Sequence, residues 1–180
     1  LSETQTMLKN SAREFLNREA PRALIKEMDE SDSGFSPELW SQMSDMGWVG
    51  LALPEKYGGG DGNLTDVGVL FEELGYACVS SPLHSSVLMA GVGILEVGSE
   101  EQKQNLLPSI ANGSRILAFA ITEPEYGWTA DYVNLKADQS GDNYVLNGTK
   151  LFVPDAQVAD QIIVLARTAS GENNGLTMFL

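Results

Sequence analysis

Apolar residues recur at helical spacing through the first two thirds of the chain and at alternating spacing through the last third. Leu8, Ala12, Phe15 and Leu16 fall on one helix face. Ahead of them, Ser2-Glu3-Thr4-Gln5 has the form of a capping box, in which two side chains satisfy each other's backbone N–H groups. Ser36 before Pro37 predicts an N-cap with proline at the first helical position. Leu39, Trp40, Met43 and Met46 then form an apolar stripe, and Gly47 can stop that helix. A third helix is expected over 64–74, closed by Gly75. Residues 87–97 are apolar nearly all round, which predicts a buried helix. Ser99-Glu100-Glu101-Gln102 is a second capping box, and its helix should end near Gly113.

Beyond Gly113 the period changes. Residues 115–121 form a short apolar run. Val133, Leu135 and Ala137 alternate with polar residues, as in a half-buried strand. Ser140-Gly141-Asp142-Asn143 predicts a turn, with Tyr144-Val145-Leu146 as the returning strand of a hairpin. Further strands are expected over 162–166 and 176–180. The expected fold class is α+β: an all-α domain over 1–113 followed by part of an antiparallel β-barrel domain over 114–180. The strand pattern is still running at Leu180 and the chain opens on Leu1 rather than Met, so the β domain is expected to be unfinished and the chain trimmed.

With 180 residues, 43 % of them hydrophobic, the chain can bury a core without disulfides. Its one cysteine, Cys78, sits in Gly-Tyr-Ala-Cys-Val and is expected to be a reduced core thiol, which fits a reducing cytoplasm. No apolar run is long enough to span a bilayer, so no membrane insertion is expected. The formal net charge is −14, with 11 Lys and Arg scattered among 25 Asp and Glu. That balance argues against nucleic acid as a partner. It leaves room for an anionic ligand held on backbone amides.

The usual glycine signatures do not carry chemistry here. Tyr57-Gly58-Gly59-Gly60-Asp61-Gly62 lacks the Lys-Ser/Thr ending of a phosphate loop and reads as a turn. Gly91-Val92-Gly93 lies in a helical run with no strand ahead of it, unlike a dinucleotide fingerprint. One His and one Cys cannot make a recognisable zinc set, so no metal is expected. His84, in Ser-Ser-Pro-Leu-His-Ser-Ser, reads as a capping or surface residue, with a substrate contact as the alternative. No acidic pair has the look of a catalytic couple.

An ordered set of segments resembles the acyl-CoA dehydrogenase family, in its bacterial acyl-chain and steroid-side-chain branch. These are Met46-Gly47-Trp48-Val49-Gly50 leading to Pro54-Glu55-Lys56-Tyr57-Gly58-Gly59, then Glu72-Glu73-Leu74-Gly75 and Gly98-Ser99-Glu100-Glu101-Gln102-Lys103 with Leu107-Pro108. Ala120-Ile121-Thr122-Glu123-Pro124, Asn147-Gly148-Thr149-Lys150 and Val164-Leu165-Ala166-Arg167-Thr168 follow. The resemblance implies a helical domain and a central β barrel, with a second helical domain beyond. It implies FAD as cofactor and α,β-dehydrogenation of an acyl-CoA thioester in fatty acid or steroid side-chain β-oxidation. An electron-transfer flavoprotein would be the electron acceptor, and a homo- or hetero-oligomer the assembly. The family's glutamate base belongs to the second helical domain, so no catalytic residue is expected in this chain.

By the same resemblance, Phe119, Ala120, Ile121 and Thr122 should line the flavin, with the Thr122 hydroxyl at the ring edge. From the residue alone, Thr122 would read as a strand-end residue bonding its own turn. Trp128 stands where the family usually has a serine that meets FAD phosphates and the CoA moiety. Phe152, Val153 and Pro154 stand where it usually has Trp-Ile-Thr. Phe152 can still pack on a flavin face. Pro154 has neither a hydroxyl nor an N–H, so a donor expected near flavin N5 is lost. Ser85, Leu88, Met89 and Trp128 are the candidates for the acyl-CoA pocket, with core packing as the plain alternative for the first three. The departures at Trp128 and Pro154 also fit a non-catalytic partner subunit of a mixed assembly. A third possibility is an acyl-CoA oxidase relative that uses oxygen.

Overall fold

A computed structural model describes residues 1–125, 127, 129–168 and 175–180. They divide into two compact units, Leu1–Ile116 and Leu117–Leu180.

The first unit is helical. Helices α1 (Glu3–Glu19), α2 (Arg22–Glu30), α3 (Pro37–Asp45), α4 (Leu64–Tyr76), α5 (Val92–Val97) and α6 (Glu100–Ala111) follow in order, with a π-helical segment, Leu83–Gly91, leading into α5. Both expected capping boxes form: Ser2 and Gln5 exchange bonds at the start of α1, and Ser99 and Gln102 do so at α6. Ser36 Oγ accepts the Leu39 N–H, with Pro37 at the first turn of α3. Ala12, Phe15, Leu16, Leu39, Trp40, Met43, Val67, Leu70, Leu74, Leu107 and Ile110 are buried. The larger of these contribute roughly 1.5–3 kcal/mol each by leaving water. Phe15 meets Trp48 edge to face, their ring centroids 5.1 Å apart.

Three helices end on the same device. At α3, Gly47 (φ +73) donates its N–H to Ser44 O, and Trp48 donates to Met43 O. At α4, Cys78 (φ +57) donates to Gly75 O, and Val79 donates to Leu74 O. At α6, Gly113 (φ +69) donates to Ile110 O. The first two are complete Schellman motifs, whose turning residue must be left-handed. Gly47 and Gly113 therefore stop helices as expected. Gly75 does not: it lies inside α4, and Cys78 takes the glycine position. Cys78 is accordingly exposed rather than a core thiol.

Other departures have local causes. Met46 lies past the end of α3 and is 46 % exposed. The expected buried helix over 87–97 is split between the π-helical segment and α5, which leaves Val97 at the surface. Helix α2, with Met28 its one buried residue, carries too short an apolar stripe for the pattern to reveal. The Tyr57–Gly62 run is a turn that folds back on its own approach: Gly60, Asp61 and Gly62 donate their N–H groups to Gly50, Leu53 and Leu51. The return is so close that a Cβ on Gly59 would lie 2.0 Å from the Leu53 carbonyl oxygen.

Helices α1 and α4 share a buried charge. The Glu73 side chain is wholly buried and accepts both Nε and Nη2 of Arg13. Arg13 also lies over the Tyr76 ring, 3.8 Å from its centroid. Lys9 reaches Glu72 at 2.7 Å and Glu73 at 3.7 Å. The planar guanidinium suits this double contact as an ammonium would not.

The second unit is β-rich. Strands β1 (Leu117–Ala120), β4 (Gln161–Arg167) and β5 (Leu176–Phe179) form one sheet in the order β1-β4-β5, and β2 (Ala137–Ser140) pairs with β3 (Asn143–Leu146) in a hairpin. The hairpin closes on Gly141-Asp142, with Gly141 at φ +63 as the first central residue. β4–β5 is antiparallel, but β1–β4 is parallel, with Leu117 opposite Gln161. The sheet is thus mixed, which alternation within single strands cannot specify. The alternation at Val133 and Leu135 does not make a ladder. The Asn134 and Leu135 N–H groups go to the Glu123 carboxylate, while the Val133 and Leu135 carbonyls accept from Arg167. The Glu123 side chain and Arg167, the last residue of β4, take the place of a full ladder, and only Lys136 forms an isolated bridge to Arg167 among the described residues.

Candidate functional site

The candidate residues of the second unit come from two distant stretches, 119–122 and 152–154. Phe119 and Ala120 end β1, and Ile121 and Thr122 continue it. The Leu151 N–H donates to the Thr122 carbonyl at 2.8 Å. One residue earlier, Lys150 Nζ donates to the Ile121 carbonyl at 2.9 Å. Consecutive carbonyls of one stretch are therefore held by consecutive residues of the other, and Phe152, Val153 and Pro154 follow directly.

Phe152 is the most conspicuous member. It is 84 % exposed, and its backbone is left-handed at φ +50. Asp155, three residues on, is left-handed as well at φ +58. Such a conformation costs a non-glycine residue about 1–3 kcal/mol and is typically kept where a loop serves a ligand. Pro154 is exposed, whereas Phe119, Ile121, Thr122 and Val153 are half-buried and Ala120 is buried. The Thr122 side chain makes no hydrogen bond to its own turn among the described residues; only its carbonyl is engaged. Trp128 lies outside the described residues.

Beneath this seam sits a buried ion pair that the sequence reading assigned no role. The side chains of Lys150 and Glu123 are 8 % and 5 % exposed, with Nζ 2.8 Å from Oε1. Glu123 Oε1 also accepts the Leu135 N–H at 2.9 Å, and Oε2 accepts the Asn134 N–H at 2.8 Å. Burial alone would raise the Glu123 carboxyl. The Lys150 hydrogen bond, the two backbone N–H groups and the ammonium charge outweigh burial and hold it below the ordinary carboxylate range. A sequence signal was present: Glu123 and Lys150 are charged residues inside two of the motifs that carry the resemblance.

The remaining candidates belong to the first unit, on the π-helical segment. Ser85 is buried and its hydroxyl donates to the Pro82 carbonyl at 3.2 Å, so it serves its own turn. Leu88 and Met89 are half-buried, and His84 is exposed. Among the described residues no group of three or more His, Cys, Asp and Glu side chains could hold a metal ion, and no helix is long and apolar enough to cross a membrane.

Residues 2–114 match the N-terminal domain model of acyl-CoA dehydrogenases, and residues 118–180 match the middle domain model. The chain is 33 % identical to the subunit CarC of the caffeyl-CoA reductase-Etf complex of Acetobacterium woodii, over 99 % of this chain and 48 % of that protein. Among solved structures, it superposes on the ChsE4-ChsE5 complex of Mycobacterium tuberculosis with a TM-score of 0.86 at 27 % identity, covering 99 % of this chain and 47 % of that one. A glutaryl-CoA dehydrogenase of Mycobacterium smegmatis in complex with FADH2 gives a TM-score of 0.86 at 25 % identity, over 99 % and 45 % of the two chains. The chain spans about half the length of the curated relatives it matches. Family models in chain order, relatives above 30 % identity and a shared α+β fold lead to one conclusion: this chain belongs to the acyl-CoA dehydrogenase family.

Proposed function

We propose that this chain supplies the flavin-side wall of an FAD-dependent acyl-CoA dehydrogenase, which introduces an α,β double bond into an acyl-CoA thioester. The observation that carries the reading is the seam at Thr122–Leu151. It joins the two stretches that resemble the family's flavin site and leaves Phe152 presented to solvent on a strained backbone. An exposed aromatic ring, a half-buried Phe119 and a hydroxyl not spent on its own turn are a suitable donor and stacking set for an isoalloxazine ring. Phe119, Ala120, Ile121, Thr122, Phe152 and Val153 would hold it. FAD, when bound, would supply the acceptor for the hydride leaving the acyl β-carbon. The residues of this chain orient and exclude water; the base that takes the α-proton is assigned to no residue here. Ser85, Leu88 and Met89 are proposed for the acyl-CoA pocket, with Leu88 and Met89 offering apolar surface and Ser85 supporting them from within its turn. An electron-transfer flavoprotein is the proposed acceptor partner, and a reducing cytoplasm suits the single thiol.

The test is the visible spectrum of the full polypeptide, purified with any partner. Bound flavin at near one per site is expected, and Phe152→Ala should weaken FAD about two- to tenfold, as the loss of one aromatic stack does. A colourless protein that takes up no added FAD would end this reading.

Pro154 favours a second reading, a partner subunit that holds flavin incompletely within a mixed assembly. It offers neither hydroxyl nor N–H where a donor is wanted, a loss of roughly 1–3 kcal/mol if unreplaced. Pro154→Thr, together with Trp128→Ser, should then raise flavin occupancy; unchanged occupancy counts against it.

A further inference from the structure

We propose that Lys150, backed by Glu123, is a positioning residue that fixes the peptide planes of the flavin-lining stretch 121–122. The proposal rests on the flavin reading above. Lys150 has three ammonium donors, and two are placed: one on the Ile121 carbonyl at 2.9 Å, the other on Glu123 Oε1 at 2.8 Å. Glu123 is in turn fixed by the Asn134 and Leu135 N–H groups. The ammonium therefore has one partner it neutralises and one it orients. A salt bridge alone needs no main-chain carbonyl.

The orientation has a defined effect. Among the described residues no peptide bond is cis, so within each of these peptides the N–H points opposite the C=O. With the Ile121 carbonyl turned to Lys150 and the Thr122 carbonyl turned to Leu151, the N–H groups of Thr122 and Glu123 face away from 150–151. Lys150 thereby sets which way Thr122 presents its N–H. A buried ion pair is a poor way to gain stability, since two apolar residues of the same volume often do as well. Holding a site's geometry through a satisfied polar layer is what such a pair does better.

Two readouts on the full polypeptide test this. The first needs no cofactor: hydrogen exchange of the apoprotein, wild type against Lys150→Met. Faster exchange confined to 121–123 and 150–152 is expected. Faster exchange spread evenly over the second unit would make the pair a general brace and overturn the proposal. The second is titration with FAD, followed by the position and fine structure of the flavin absorption band. Lys150→Met should weaken FAD roughly tenfold, the worth of one charged hydrogen bond, and shift the band. Wild-type affinity and spectrum in a folded Lys150→Met variant would also overturn it. If wild type itself takes up no FAD, the flavin reading fails while the exchange experiment still decides the pair. Should Lys150→Met not fold, Lys150→Arg keeps the charge but not the point-like geometry. It should reproduce the local exchange change; wild-type exchange in that variant would count against the proposal.

Discussion

Cys78→Gly should stabilise the protein. The residue ends α4 in a Schellman motif with φ +57, the position that Gly47 and Gly113 take at α3 and α6. A side chain with a Cβ pays about 1–2 kcal/mol to be left-handed. Glycine removes that strain but gives back roughly 0.5–1 kcal/mol through its freer unfolded chain. The thiol is exposed, so little packing is lost. The net expectation is a gain of about 0.5–1 kcal/mol. At an m-value of roughly 2 kcal/mol/M in urea, this moves the midpoint up by about 0.25–0.5 M. Cys78→Ala is the control: it removes the sulfur but keeps the Cβ, and should be near neutral. Gly47→Ala is the mirror experiment. Its added Cβ would meet nothing within 4 Å, so it isolates the backbone cost and should lose about 1 kcal/mol. Gly113→Ala should lose more, because its Cβ would sit 3.0 Å from Trp40 Nε1 and 3.3 Å from Ser44. A midpoint for Cys78→Gly at or below that of Cys78→Ala would refute the reasoning.

Three further outcomes follow from the same geometry. Gly59→Ala should cost roughly 3 kcal/mol or more in urea unfolding, against about 1 for Gly58→Ala, because only the former drives a Cβ into a carbonyl oxygen. Glu123→Gln should be destabilising at neutral pH and progressively less so as pH falls. The folded carboxyl is held below its ordinary range, so its contribution is complete above the unfolded value, near 4.3, and is lost as pH drops through the folded one; a gap that stays constant from pH 7 to 3 would contradict this. Arg13→Met should destabilise more than Lys9→Met, since the first removes both guanidinium hydrogen bonds of the wholly buried Glu73 and leaves it only Lys9 at 3.7 Å, whereas the second removes the hydrogen bond of the exposed Glu72; equal urea midpoints would show the burial to be irrelevant.

Much of the helical unit was legible because its signals are local. Capping boxes at Ser2 and Ser99, the proline after Ser36 and the glycines at 47 and 113 each act within a few residues of where they stand. Gly75 misled because a glycine near a helix end is a good stop only if the turn falls on it, and here the turn fell three residues later. The strand read at Val133 failed for a different reason. Its N–H and C=O groups are consumed by the side chain of Glu123 and by Arg167, partners that no alternation pattern within the segment can announce. The two charges of the ion pair under the seam stood in recognised motifs, but their pairing was not legible, because nothing near Glu123 in the chain announces Lys150. The flavin stretches could be named from their motifs, but their meeting at Thr122–Leu151 is a fact of the fold.

The parallel pairing of β1 with β4 has a consequence for how the second unit reaches its fold. The hairpin of β2 and β3 joins across two residues and can form in microseconds. Leu117 finds Gln161 only after a loop of about 40 residues closes, which costs on the order of 1 kcal/mol more in chain entropy than a loop of ten. Non-local pairings of this kind set folding speed. Substitutions along the β1–β4 border, such as at Ala118, should therefore slow refolding, whereas changes at the hairpin tip should chiefly speed unfolding. On that account the strand that delivers Phe119 to Thr122 into place is also the one whose arrival times the whole unit.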